Sequence, residues 1–161
     1  MLRRIVNKVF EPFGYQLIKK NYKLKYPIEI SKEEREFISE ILFPIDKKEN
    51  LVPLSMVSVE RLWAAISATK YLVENDIDGD MVECGVWRGG CSIAMARTLK
   101  KLGSNKKVYL FDTFEGMTQP TYLDKTASGD TDAIKKFNEF QRDNHNEWCY
   151  ASLKDVKNSF I

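Results

Sequence analysis

The clearest periodicity in this chain predicts a helix over residues 59–73. Apolar side chains recur there at the three- and four-residue steps that put them on one helical face. These are Val59, Leu62, Trp63, Ile66 and Val73, with Lys70 at the remaining position of the stripe. Ser55 or Ser58 is available to cap the helix. A shorter helix is predicted over residues 32–42, inside a charged arm that prolines interrupt.

A strand, a glycine-rich loop, a helix and a second strand are predicted to follow in that order. Residues 81–84 (MVEC) form a short buried strand in this interpretation, and the loop 85–90 (GVWRGG) comes directly after it. A helix is expected from about 91 to 102, before a second buried strand within residues 107–112. This order is that of a βαβ unit, whose two strands should be parallel.

The last third of the chain predicts a loop and two more helices. Residues 113–131 contain Gly116, Pro120 and Gly129 and are expected to be loop. A helix is predicted from about 132 to 142. Ser152 then begins a segment that matches the capping box S/T-x-x-D/E, so another helix should start there.

The first ten residues have an amphipathic pattern. Its apolar positions recur at helical spacing and are Leu2, Ile5, Val6, Val9 and Phe10. Residues 1–25 hold seven basic side chains against Glu11 alone. Contact of residues 1–14 with a membrane surface is one interpretation. We favour packing of this face on the domain or on a second subunit, because the segment is short for a membrane-surface helix.

The composition bounds the class of protein. A chain of 161 residues with 43% hydrophobic content can bury one core, which favours a single domain. A net charge of +2 gives no global reason to expect nucleic acid as a partner. The three cysteines lack C-x-x-C spacing, so neither a disulfide framework nor a zinc site is indicated. Without a signal-peptide pattern, we expect a soluble, cytoplasmic protein.

Carboxylates and glycines meet at the ends of the two predicted strands. Glu83 lies in the first strand, the glycine loop follows it, and Asp112 ends the second strand. Ligands of open parallel sheets bind at such ends, where a glycine loop admits them to the backbone and a helix N-terminus suits a carboxylate. Asp112 stands where a carboxylate can accept hydrogen bonds from both hydroxyls of a ribose. The pattern predicts a nucleoside site.

Each of these residues also has a structural interpretation. Gly85, Gly89 and Gly90 can permit tight packing of a strand against a helix, and Asp112 can cap a helix or a turn. Glu83 is harder to explain in that way, because a carboxylate in an apolar strand needs partners. Loop amides or a ligand amine would supply them.

The loop spacing discriminates between nucleotide classes. The dinucleotide fingerprint G-x-G-x-x-G requires a glycine where Val86 or Trp87 stands, which disfavours NAD. A P-loop is excluded, because no Gly-Lys-Ser/Thr follows the glycines. The loop instead has the spacing acid, one residue, glycine, three residues, glycine. This spacing is typical of the first motif of class I methyltransferases.

Three segments resemble the macrocin O-methyltransferase family. They are residues 79–90 (GDMVECGVWRGG), 109–117 (YLFDTFEGM) and 148–157 (WCYASLKDVK). The resemblance runs from about Leu54 to the end of the chain. This family includes enzymes that methylate sugar hydroxyls on macrolide and aminocoumarin antibiotics.

The resemblance implies an α/β, Rossmann-like class I methyltransferase fold that binds S-adenosylmethionine. The implied cofactor-binding residues are Met56, Glu83, Gly85, Val86, Trp87, Arg88, Gly89, Gly90, Asp112, Thr113 and Phe114. The family commonly has Thr-Met ahead of the long helix. Here Ser55-Met56 stands at that place, and serine keeps the hydroxyl.

The sequence departs from the family in its acidic motifs. In the family, catalytic acids and Mg²⁺ ligands lie in R-L-D-x-D and I-D-D-Y motifs downstream of the position equivalent to Ile161. Neither motif occurs here, so we assign no catalytic or metal-binding residue and expect a fold truncated after its first two parallel strands. The other polar candidates are interpreted as surface residues. They are Asp124, Asp130, Asp132, Asp143 and His145.

We therefore predict a basic helix and arm over residues 1–53 and a partial S-adenosylmethionine-binding domain over 54–161. The implied reaction is methyl transfer to a hydroxyl of a sugar or glycosylated small molecule, with a metal acidifying the acceptor. The chain alone is expected to be inactive. A cofactor-binding module without catalysis and a membrane or assembly role of residues 1–20 are the alternatives. A homo-oligomer is also compatible with the pattern, because two strands make a poor parallel sheet.

Overall fold

The computed structural model describes residues 26–44, 53–125 and 132–160, and within them the fold is α/β. The elements in chain order are α1 (Lys32–Leu42), α2 (Val59–Glu74), β1 (Met81–Cys84), α3 (Gly90–Lys101), β2 (Val108–Phe111), α4 (Ala133–Phe140) and α5 (Leu153–Ser159). None of these helices combines the length and apolarity needed to cross a membrane. The predicted amphipathic helix at the N-terminus lies outside the described residues, as does Asp130.

The two helices predicted ahead of the strands are confirmed, and their N-termini differ in capping. Ser31 caps α1, and it forms a reciprocal capping box with Glu34 that the sequence analysis did not single out. Ser58 stands at the N-cap of α2, but its hydroxyl does not bond the first-turn amides. Ser55 instead accepts a 3.3 Å hydrogen bond from the Val57 amide. Of the two serines proposed as caps, Ser58 therefore holds the position without making the cap bond.

The two strands pair in parallel, which confirms the predicted βαβ unit. The register runs from Met81 opposite Val108 to Cys84 opposite Phe111. Met81 is buried against Met95 of α3. The helix that connects the strands therefore packs on the sheet that it joins.

The prediction that the two strands are buried is wrong for one face of the sheet. Val82, Tyr109 and Phe111 are 57%, 44% and 60% exposed. Successive side chains of a strand point to opposite faces of a sheet. Within the residues that the structure describes, one face of this sheet is covered and the other is open.

The described residues form two compact units, one of Tyr26–Phe114 with residues 151–160 and the other of Glu115–Tyr150. In the first unit, three ion pairs join α1 to α2 and α3. They are Glu34 with Lys70 at 2.6 Å, Glu40 with Arg97 at 2.9 Å, and Glu33 with Lys101 at 2.5 Å. Helix α1, which the sequence analysis assigned to an arm, therefore packs with the helices beside the sheet.

Helix α5 closes the first unit next to the glycine loop. Ser152 and Asp155 form the predicted capping box at its start. Ala151 and Val156 are buried together with Val86 of the loop, and Phe114 packs against the same cluster. The chain thus returns to the end of the sheet after the second unit.

The second unit is organised around Asn146, which is 2% exposed. Its amide nitrogen donates to the Phe137 carbonyl at 2.9 Å, and its side-chain oxygen accepts from the Trp148 amide at 3.0 Å. Asp132 caps α4, which ends at Phe140, two residues before the predicted end. These contacts give the loop-rich segment a core of hydrogen bonds.

Candidate functional site

The Asp112 carboxylate ties the glycine loop to the end of β2. Its Oδ2 accepts hydrogen bonds from the Val86 amide at 2.6 Å and the Trp87 amide at 3.1 Å. Its Oδ1 accepts from the Phe114 amide at 3.0 Å and faces the Thr113 hydroxyl at 3.4 Å. One side chain therefore organises the loops that follow both strands.

Two aromatic residues bound by Asp112 have strained backbones. Trp87 has a φ of 49° and Phe114 a φ of 55°, in the left-handed region that non-glycine residues seldom adopt. Such strain persists only where the surroundings enforce it, and it is frequent at ligand sites. The guanidinium of Arg88 lies 5.5 Å from the centre of the Trp87 ring. Both aromatic rings also pack against the buried cluster at the start of α5.

Amide hydrogen bonds favour the ionised form of the Asp112 carboxyl. Partial burial raises the pKa of this carboxyl, but the amide hydrogen bonds from Phe114, Val86 and Trp87 outweigh burial and leave the pKa below its usual value. A carboxylate offers about four acceptor sites, and the loop amides already use three. A ribose hydroxyl would therefore share Asp112 with the loop, and its ribose contact stays a prediction.

The loop glycines divide into one open position and two packed ones. Gly85 has a φ of 85°, and no atom lies within 4 Å of a Cβ added there. A Cβ at Gly89 would lie 3.0 Å from the Phe160 ring. A Cβ at Gly90 would lie 2.5 Å from Ser55 Cβ and 2.6 Å from the Leu54 carbonyl oxygen. The geometry supports packing at Gly89 and Gly90, whereas the backbone at Gly85 is open to an approaching ligand.

Glu83 reaches the first turn of α3. Ser92, in the first turn of this helix, donates its hydroxyl to Glu83 Oε2. The N-cap residue Gly89 has no side chain to cap the helix, and the Glu83 carboxylate lies beside the first turn, where a negative charge is favourable. The sequence predicted partners for Glu83 but did not identify Ser92.

Burial raises the pKa of Glu83. The hydrogen bonds from Ser92 and Cys91 oppose this effect, and the negative charge of Asp112 adds to it, so the pKa lies above its usual value. The negative charges of Glu83 and Asp112 therefore act on each other at this end of the sheet.

Two groups at the N-terminus of α3 are engaged by protein atoms. The Gly90 amide donates to the Leu54 carbonyl at 2.9 Å, and the Ser92 hydroxyl donates to Glu83. The binding of a ligand carboxylate at this helix end stays a prediction.

Met56 follows the segment that packs on α3. The Ser55 side chain is buried, with its hydroxyl 4.0 Å from Cys91 Sγ, whereas Met56 is 56% exposed. The structure thus holds Ser55 against the first turn of α3 and leaves the Met56 thioether accessible. Its predicted contact with a cofactor is compatible with this exposure and stays a prediction.

The remaining polar candidates do not gather into a site. Asp124 caps a turn by accepting the Thr121 amide at 2.6 Å, and Asp132 caps α4. Asp143 is exposed, whereas His145 is half-buried, with its ring 4.3 Å from that of Tyr150. Across residues 26–44, 53–125 and 132–160, no three His, Cys, Asp or Glu side chains stand together as a metal site.

Comparison with known proteins places this geometry in context. The family model of macrocin O-methyltransferase (TylF) matches residues 23–160. An 8-demethyl-8-(2,3-dimethoxy-α-L-rhamnosyl)-tetracenomycin-C 4′-O-methyltransferase of Streptomyces olivaceus is 31% identical over 107 residues, which are 66% of this chain and 38% of that protein. A demethyldecarbamoylnovobiocin O-methyltransferase of Streptomyces niveus is 33% identical over 64 residues, which are 39% of this chain and 24% of that protein.

A solved structure confirms the predicted α/β fold. The O-methyltransferase NovP superposes with a TM-score of 0.60 at 18% identity, over 80% of this chain and 57% of that one. The chain therefore spans little more than half the length of this structural relative. It spans less than two fifths of each of the two Streptomyces proteins.

Proposed function

Because this chain belongs to the macrocin O-methyltransferase (TylF) family, we propose that it supplies the donor side of an O-methyltransferase. The donor is S-adenosylmethionine, and the acceptor is a hydroxyl of a sugar or other glycosylated small molecule. The supporting observation is that two carboxylates, Glu83 and Asp112, lie at the ends of adjacent parallel strands, with the open Gly85 backbone directly after β1.

The described residues fit the two polar ends of the cofactor. Asp112 would accept from the ribose hydroxyls, with Thr113 and Phe114 beside the nucleoside, and Glu83 would pair with the ammonium group. Open space over Gly85 leaves room for the cofactor to approach the backbone. When bound, the cofactor supplies a methyl group on a sulfonium. The role of this chain is then to hold and orient that donor.

The residues that the structure describes do not fit the Mg²⁺ that the family implies. No set of three or more suitable ligands is present among them, so no step of our proposal passes through a metal. A neutral sugar hydroxyl is a weak nucleophile and needs a base or a metal as the methyl group moves. Asp124 and Asp132 are engaged in a turn and a helix cap. We therefore propose that these 161 residues bind the donor without transferring its methyl group on their own.

A calorimetric titration with S-adenosylmethionine tests the binding proposal. Saturable binding that Asp112→Ala weakens supports it, whereas absence of binding by the folded wild-type chain overturns it. A radiolabelled methyl-transfer assay with sugar nucleotides and deoxysugar glycosides tests the second point. Metal-dependent turnover by the purified chain would overturn the proposal that it acts only on the donor.

The composition supports the remaining parts of the proposal. A net charge of +2 favours a small molecule over nucleic acid as the binding partner. The three cysteines without paired-motif spacing favour the cytoplasm. Homo-oligomer formation and membrane contact by residues 1–14 stay predictions, which sedimentation and liposome flotation would test.

A further inference from the structure

The Glu83 carboxylate is held by a residue of α3 that lies outside the glycine loop. Ser92, which is 0% exposed, donates its hydroxyl to Glu83 Oε2. The neighbouring Cys91 thiol lies 4.0 Å from the Ser55 hydroxyl. The strand carboxylate is thereby linked to the first turn of α3, which also contacts the segment that precedes α2.

We propose that Ser92 is a positioning residue of the donor site, whose hydroxyl holds the Glu83 carboxylate where it can pair with the ammonium group of S-adenosylmethionine. This inference rests on the proposed function. The Ser92 hydroxyl uses one of about four acceptor sites on the Glu83 carboxylate, which leaves acceptor sites for the N–H groups of a ligand ammonium.

The charges around Glu83 make its ionisation depend on these donors. Burial raises the pKa of Glu83, the Asp112 charge after β2 raises it further, and the hydrogen bonds from Ser92 and Cys91 lower it. Burial and the Glu83 charge also raise the pKa of the Cys91 thiol, on which Arg61 of α2 acts in the opposite direction. Cys91 therefore stays a neutral donor. Removal of the Ser92 hydroxyl should raise the pKa of Glu83, so that the carboxyl becomes protonated at a higher pH than in the wild type.

The test is calorimetric titration of the full chain with S-adenosylmethionine between pH 5 and 7.5, where the ligand ammonium stays charged. We expect Ser92→Ala to weaken binding by about tenfold at the acid end of this range and by less near pH 7.5, because the variant loses the hydrogen bond that favours the ionised Glu83 carboxylate, and a hydrogen bond to a charged group is worth about this much. Thr98→Val is the matched control, because it deletes another buried hydroxyl of α3, one that bonds only the Ala94 carbonyl in its own helix. This control should leave the pH profile unchanged.

A second ligand separates positioning from packing. 5′-Methylthioadenosine keeps the nucleoside but has no ammonium group, so Ser92→Ala should leave its affinity within about twofold of wild type. Ser92→Cys, which keeps a weaker donor of similar size, should give an intermediate pH shift. Thermal melting of each variant verifies folding.

Three results would overturn the inference. If Ser92→Ala weakens the binding of both ligands equally at every pH, Ser92 acts only through packing. An unchanged profile in folded Ser92→Ala means that Glu83 does not depend on it, while the proposed function stands. If the wild-type chain binds neither 5′-methylthioadenosine nor S-adenosylmethionine at any of these pH values, both the proposed function and this inference are overturned.

Discussion

The Asp112 carboxylate accepts a 2.6 Å hydrogen bond from the Val86 amide, which joins the loops that follow two neighbouring parallel strands. Asp112, which the sequence predicts to bind a ribose, therefore also holds the loop that would receive the cofactor. Substitution of Asp112 should affect folding and ligand binding together. The two effects can be separated, because the chain carries a similar contact at the other end of the same strands.

Asp112→Ala should weaken S-adenosylmethionine binding by about 1.5–3 kcal/mol, the usual range for hydrogen bonds to a charged group. It should also lower the free energy of unfolding, because the amides of Val86, Trp87 and Phe114 lose their acceptor. Calorimetric titration measures the first effect and urea denaturation the second.

Asp80→Ala is the matched control for this substitution. Asp80 Oδ1 accepts a 2.8 Å hydrogen bond from the Lys107 amide just before the two strands begin. Its loss should lower stability while S-adenosylmethionine affinity is retained. If the Asp80 and Asp112 variants lose affinity equally, Asp112 acts through strand pairing and has no direct role toward the ligand.

Gly85→Ala should abolish or strongly weaken cofactor binding at a modest cost in stability. A left-handed backbone costs a non-glycine residue about 1–2 kcal/mol, and the added methyl group would enter the open space over the loop. Binding is measured by calorimetry and folding by circular dichroism.

Gly103→Ala provides the comparison for Gly85. Gly103 has a φ of 66° and, like Gly85, no atom within 4 Å of an added Cβ, but it follows the opposite end of α3. The two variants should lose similar stability, and only Gly85→Ala should lose affinity. Retained affinity in Gly85→Ala would place the ligand elsewhere.

Local patterns were sufficient to predict the elements of this fold. The apolar stripe of α2, the capping box at Ser152 and the order strand, loop, helix, strand are all contained within short stretches of sequence. Their signals depend on side-chain periodicity and on turn chemistry, which act between neighbours in the chain. The helices and the parallel pairing followed from these signals.

Contacts between distant segments could not be predicted in the same way. The hydrogen bond from Ser92 to Glu83 depends on how α3 lies across β1, and the contact of Gly90 with Leu54 joins residues 36 positions apart. Strand burial was also misjudged, because apolar residues such as Val82 and Phe111 do not report which face the described elements cover. The order of the elements around the candidate site could therefore be predicted, whereas the hydrogen bonds within it could not, and the binding site itself stays a prediction.

Gly90→Ala should destabilise the chain by about 1–3 kcal/mol, the range for overpacking a close contact. An added Cβ would lie 2.6 Å from the Leu54 carbonyl oxygen and 2.5 Å from Ser55 Cβ, so the segment before α2 must move. Urea denaturation measures the loss. Ala94→Gly in the same helix tests the opposite change, because it removes a methyl group from a fully buried position and should destabilise without moving that segment.

Displacement of Leu54 and Ser55 should also reduce S-adenosylmethionine affinity if Met56 contacts the cofactor. Ala94→Gly should leave affinity unchanged after correction for folding. A Gly90→Ala variant with wild-type stability would contradict the close packing of this segment on α3.

Acid should weaken the contact between α1 and α2, because the Glu34 carboxylate that pairs with Lys70 becomes protonated. Burial raises the pKa of Glu34, but hydrogen bonds from Lys70 and Ser31 outweigh it and bring the pKa to about 2. A carboxyl with a depressed folded-state pKa stabilises the fold above its unfolded value of about 4.5, and this contribution is lost as the pH falls toward 2. Glu34→Gln should therefore cost about 1–2 kcal/mol at pH 6, after allowance for solvent screening, and progressively less at pH 4 and 3.

Glu36→Gln on the same helix is the control for this pH dependence. Glu36 pairs with Lys32 at 3.9 Å, and both side chains are largely exposed, so its loss should change stability by less than about 0.5 kcal/mol. Urea denaturation of the wild type and both variants at the three pH values gives the comparison. If the free energies of unfolding of the wild type and Glu34→Gln differ by the same amount at all three pH values, Glu34 contributes only through packing and neutral hydrogen bonds. If this difference becomes smaller on acidification, the contribution comes from the ionised carboxylate beside Lys70, because protonation removes the ionised form over this pH range.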